Sequence, residues 1–173
     1  AAPLIAPPLS ALDMDMPIDG AMAVVITTAE RAADLPNRPA VVEASSNAIT
    51  GGTDFFFRAF DSYASYRVLI ERLWNKSGLT IEDMDVVNIY DGFSSLALEW
   101  MEARGFLEDS WNAETGKLSF LGRIPMSTHG GNIGEGRVQG FGHVLEAVRQ
   151  LRGTAGTRQV ESAKNVLVVN GNN

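Results

Sequence analysis

"VVNIYDGFSS" (residues 86–95) decides how this chain folds. Val86, Val87 and Ile89 make a short apolar, β-branched run, which predicts a strand over 86–90. Ser94 and Ser95 then open a helix over 94–106, with Gly105 near its end. A strand that feeds a helix in this way sets Tyr90 and Asp91 at a carboxyl-terminal strand edge. Ligands bind at such edges in open α/β sheets. The helix start adds free N–H groups and the positive end of a dipole. Two readings of the pair stay open at this point. Tyr90 serves as a proton donor or oxyanion partner, or it packs with its hydroxyl satisfied. Asp91 belongs to a ligand site, or it caps the helix.

The flanking sequence alternates in the same manner. "AMAVVITT" (21–28) and "AVVEASSNA" (40–48) read as buried strands, separated by a helix over 29–35 that "PNRP" ends. "YASYRVLIERLWNKSGL" (63–79) is an amphipathic helix, because Tyr66, Leu69, Ile70 and Leu73 recur at helical spacing. The polar stretch 107–125 is expected to be irregular. Helix 138–153 and strand 164–171 follow. Phe55, Phe56 and Phe57 cannot all face one core, so they either pack beneath a loop or line a pocket. Strands that are continuous apolar runs, alternating with helices, imply an α/β fold with a mixed sheet covered by helices. The chain begins without Met on a proline-rich coil, and its last strand ends as the chain ends. Both ends are therefore expected to be internal cuts.

The second constellation is "STHGGNIGEGRVQGFGH" (127–143). Gly130, Gly131, Gly134 and Gly136 permit close backbone approach to a ligand. His129 and Glu135 are titratable, and Arg137 is a fixed cation suited to a carboxylate, a phosphate or a thioester oxygen. Glu135 also has a simpler use, as an ion-pair partner for Arg137. His143 is a secondary candidate one turn into the next helix. The run is neither a P-loop nor a dinucleotide fingerprint, since it lacks the GK[ST] ending and the preceding strand spacing. Arg149, Arg152 and Arg158 form a basic group that is either solvated or able to touch ligand phosphates.

Composition narrows the function. The net charge of −7 argues against a nucleic-acid surface. The absence of cysteine excludes disulfides, thiolate metal sites and a cysteine nucleophile within these residues. Two histidines fourteen positions apart give no metal-ligand spacing. There is no G-x-S-x-G elbow. No apolar run is long enough to span a bilayer, and the first residues lack a basic n-region, so a cytoplasmic protein is expected.

Four segments, in order, resemble the C-terminal half of a thiolase-superfamily protein, of the sterol-carrier-protein or lipid-transfer type. They are "PIDGAMAVVITTAERA", "GLTIEDMDVVNIYDGFS", "STHGGNIGEGRVQGFGHVLEAVRQLRG" and "TAGTRQVESAKNVLVVNG". The resemblance implies a five-layer αβαβα protein, usually dimeric, that acts on a coenzyme A thioester with no covalently bound cofactor. Residues 1–28 would then close the first half. Residues 29–173 would form the C-terminal domain, cut at its last strand. The implied function is an acyl-CoA acyltransferase of the acetyl-CoA acetyltransferase family. Two departures qualify it. The family's His-Asp-Cys-Phe motif is Tyr90-Asp91-Gly92-Phe93 here, so its acid/base cysteine is replaced by glycine. The family's oxyanion-hole histidine falls on Arg137. A related branch, retro-aldolases that shorten steroid side chains with an OB-fold partner of the DUF35 type, matches the Tyr-Asp motif better. A third implication is an acyl-CoA or lipid-binding protein without catalysis. The implied site comprises Tyr90, Asp91, Glu135, Arg137 and His129, with Gly130, Gly131, Gly134 and Gly136 against the substrate.

Overall fold

The computed structural model describes residues 2–48, 62–103, 111–112, 117–118 and 124–170. The phenylalanine run 55–57 and Gly171, the last residue of the strand expected over 164–171, lie outside them. The described elements, in order, are β1 (Leu4–Ala6), β2 (Leu9–Ser10), α1 (Ala29–Ala33), α2 (Ser62–Ser77), β3 (Val86–Ile89) and α3 (Ser94–Ala103). Then follow β4 (Trp111–Asn112), β5 (Lys117–Leu118), α4 (Gly131–Glu135), α5 (Phe141–Arg152) and β6 (Val166–Val169).

The centre of the fold is a parallel pair, β3 with β6, in register from Val86↔Val166 to Ile89↔Val169. Residues 125–127 run along the other side of β3. Val87 N–H donates to the Pro125 carbonyl at 3.0 Å, and Ser127 N–H to the Val87 carbonyl at 2.8 Å. All four β3 side chains are buried, as a strand covered on both faces requires.

The two faces of the pair differ. Val87, Ile89, Leu167 and Val169 point into an apolar core with Tyr66 of α2 and Trp100 and Met101 of α3. Tyr66 and Trp100 stack with ring centroids 3.8 Å apart. α5 packs against β3 and β6, and there the buried residues are mostly polar. His143, Glu146, Ala147 and Gln150 follow i, i+3, i+4, i+7 spacing, so polar side chains occupy the stripe where a helix normally buries apolar ones.

Three expectations are corrected. Residues 21–28 and 40–48 are not strands, and Val25, Ile26, Val41 and Val42 are strongly exposed. β-branched runs form strands only where a neighbour supplies the other half of the hydrogen-bond ladder, and no described segment pairs with these. The start of the chain is not plain coil, because β1 and β2 form an antiparallel hairpin across Pro7–Pro8. Within 107–125, β4 and β5 make a short antiparallel ladder, while most of the remainder lies outside the described residues. The glycine run also holds a short helix, α4, that residue pattern alone does not suggest.

Candidate active site at the β3 edge

Tyr90 continues the ladder beyond β3, its N–H donating to the Val169 carbonyl at 3.0 Å. Its ring folds back over residue 92. A β-carbon on Gly92 would stand 2.8 Å from Tyr90 Cε1 and 3.3 Å from the hydroxyl oxygen. Glycine at 92 is therefore a space requirement, set by the tyrosine two residues earlier. On the other side, a β-carbon on Gly140 would meet the same ring 2.9 Å from Cδ2.

Asp91 does not cap α3. Its carboxylate turns to the glycine run and accepts N–H bonds from Asn132 at 2.6 Å and Ile133 at 3.2 Å. It thus holds the start of α4. Gly131 sits at φ +68°, and a β-carbon there would collide with the Asp91 carboxylate. Burial pushes the Asp91 pKa up, against the lowering effect of the amide hydrogen bonds. Gly134 differs, since a side chain there would meet open space.

The histidines lie behind this carboxylate. His143 is fully buried, with Nε2 3.6 Å from Asp91 Oδ1, and neither of its ring nitrogens has a hydrogen bond among the described residues. Burial lowers its pKa to about 3, with His129 adding to the shift. His129 meets it edge-on with centroids 4.9 Å apart, and burial lowers its pKa as well. Both imidazoles are therefore neutral near pH 7. Glu135 lies beside His129 (3.8 Å), a contact that becomes an ion pair only when the imidazole is protonated, and not beside Arg137 as the simpler sequence reading had it.

Arg137 instead faces Asp15, with Nε 3.5 Å from Oδ2. Burial raises the Asp15 pKa; Arg137 opposes that shift and Asp91 adds to it. Asp15 and the burial of His143 are what residue-by-residue reading missed. The only trace of Asp15 in the sequence is the Asp13-Met14-Asp15-Met16 alternation, which marks an extended segment with two faces.

The basic group divides. Arg158 donates to the buried Glu146 at 3.0 Å, Arg152 Nε donates to the Arg38 carbonyl, and Arg149 is exposed. Glu146 also accepts from Thr128 (2.8 Å) and Gln150 (3.0 Å). Burial alone would raise the Glu146 pKa, but these hydrogen bonds outweigh it and hold the group below the usual carboxylate range. This network fastens Thr128, at the start of the glycine run, to α5.

A tyrosine, a run of glycines and a partly exposed arginine side chain thus border one strand edge. A solved structure of an Ltp2–ChsH2(DUF35) aldolase superimposes with a TM-score of 0.80 at 32% identity, covering 98% of this chain and 46% of that one. The thiolase C-terminal domain-like family matches residues 61–172, and the chain belongs to that family. A 17-hydroxy-3-oxo-4-pregnene-20-carboxyl-CoA lyase of Mycobacterium tuberculosis is 36% identical over 96% of this chain and 45% of its own length. An acetyl-CoA acetyltransferase of Methanothermobacter thermautotrophicus is 33% identical over 93% of this chain and 44% of its own. The chain spans about half the length of the curated relatives it matches.

Proposed function

We propose that this chain forms the C-terminal half of the active site of a CoA-thioester retro-aldolase. The observation that carries the reading is the Tyr90–Gly92 pair. The resemblance puts the acid/base cysteine of thiolases at position 92. Here that position is stripped to glycine, and the space above it is taken by the Tyr90 ring, whose hydroxyl lies 3.3 Å from where a β-carbon would stand. A tyrosine oxygen thus replaces the thiol as the proton-transfer group.

The reaction follows from this placement. The Tyr90 oxygen, as general base, takes the proton of a β-hydroxyl on the acyl chain. The Cα–Cβ bond breaks, and its electron pair moves into the thioester carbonyl. The β-carbon leaves as a ketone or aldehyde. The Arg137 guanidinium stabilises the enolate oxygen. Tyr90 then returns its proton to the α-carbon, which gives the shortened acyl-CoA. Asp91 keeps the loop in place through Asn132 and Ile133. Similarity to a lyase and to an aldolase solved with a DUF35 protein supports a steroid side-chain thioester as substrate and an OB-fold partner of that type. A dimer of the whole protein is part of the same proposal.

Acyl transfer is the second reading, favoured by the acetyltransferase relative. Product analysis separates the two. The full-length protein, with and without a DUF35-type partner, is given a β-hydroxyacyl-CoA and no free CoA. Cleavage to a carbonyl compound and a shorter acyl-CoA is expected. Turnover that requires added CoA or a second acyl donor would replace the lyase reading with acyl transfer.

A further inference from the structure

Residues 13–18 lie as a strap across the site and join its two halves. Ser94 Oγ donates to Asp13 at 2.9 Å, Met14 bridges to Phe93, and Asp15 N–H donates to the Gly92 carbonyl at 3.1 Å. A few residues on, Arg137 N–H donates to the Met16 carbonyl at 2.8 Å, Pro17 bridges to Arg137, and Ile18 fills the space a side chain at Gly136 would need. The strap therefore fixes one short distance, that between the tyrosine edge and the end of the glycine run.

We propose that Asp15, at the centre of this strap, is a positioning residue that aims the Arg137 guanidinium at the substrate. The proposal deepens the retro-aldolase reading and rests on it. The Asp15 side chain is 8% exposed, and its Oδ2 accepts no hydrogen bond among the described residues. A buried carboxylate oxygen without a donor has little to hold it except a nearby cation, and Arg137 Nε is 3.5 Å away. Glu135, the other acid close in sequence, is turned to His129. Asp15 faces the Nε edge. That leaves the two terminal amino groups of the guanidinium, on a side chain 36% exposed, for a thioester or enolate oxygen. An arginine on a glycine-rich loop otherwise has many rotamers. Asp15 narrows them to those that keep the guanidinium beside the strap.

The test is a double-mutant cycle on the full-length protein, using Asp15→Asn, Arg137→Gln and the pair. A misaimed donor costs on the order of 100-fold. Asp15→Asn is therefore expected to lower kcat for a β-hydroxyacyl-CoA by about 10–100-fold with KM little changed. In the Arg137→Gln background it should lower kcat no further. Parental activity in Asp15→Asn, or an equal loss in both backgrounds, would overturn the positioning role. If the parent cleaves no β-hydroxyacyl-CoA, the retro-aldolase reading fails separately. The cycle is then read in the affinity for a CoA thioester that lacks the β-hydroxyl. Weakening by Asp15→Asn only when Arg137 is present supports the aim of the guanidinium, and additive weakening overturns it.

Discussion

Glu146 and His143 lie three residues apart on one face of α5, and both are fully buried. Their surroundings are opposite. Glu146 takes hydrogen bonds from Arg158, Thr128 and Gln150, whereas the two ring nitrogens of His143 have no partner among the described residues. Burying a polar group without partners costs stability, and burying it within a complete network need not. The Glu146 side of the helix is thus built as a fastening. The His143 side, nearer Asp91 and Tyr90, keeps polar groups that stability alone would not select. Such groups concentrate at functional sites.

Substitutions that break this contrast range from large effects to small. Gly131→Ala forces a β-carbon into Asp91 at a left-handed φ and should cost about 3 kcal/mol in urea unfolding, with loss of turnover. A variant as stable and active as the parent would show that Asp91 does not organise the loop. Glu146→Leu should cost about 2–4 kcal/mol, because Thr128 and Arg158 lose their acceptor. His143→Leu, on the same helix face, should leave stability at about pH 7.5 unchanged or higher. Equal losses at 143 and 146 would erase the distinction between them.

A further effect is in pH dependence. Folded His143 titrates near 3 and the unfolded residue near 6.5, so its neutral form is favoured in the fold. Its contribution is fully present above 6.5 and is lost as pH falls toward 3. The slope is at most about 1.4 kcal/mol per pH unit. His129, lowered too, acts in the same direction. Asp91 and Asp15 are raised, so they oppose it at lower pH. Chemical unfolding of the parent between about pH 7.5 and 5 should therefore be steeper in pH than that of His143→Leu. Identical slopes would place the titration elsewhere.

Much of this was legible in the sequence, for local reasons. The β3 run and the Tyr66–Leu73 spacing each encode an element that packs as its own pattern dictates. The strand leading straight into a helix, which put the candidate site at the β3 edge, was legible too. Residues 21–28 and 40–48 misled because β-branched composition reports a preference, while a strand is made by its neighbour. On α5 the buried stripe is polar, so hydrophobic periodicity points to the wrong face. Asp15 lies 76 positions before Asp91, and only folding brings it to the same edge. The pairings Glu135–His129 and Arg137–Asp15 could not be ordered from spacing, since Glu135 and Arg137 are only two residues apart.

The central claim is that the Tyr90 hydroxyl, standing over Gly92, moves the proton that allows carbon–carbon cleavage. Single-turnover cleavage of a β-hydroxyacyl-CoA by the full-length protein, parent against Tyr90→Phe, tests it most directly. Removing only the oxygen should slow the chemical step by about 10²–10⁴-fold while affinity for the thioester stays the same. A Tyr90→Phe protein that cleaves at the parental rate would contradict it.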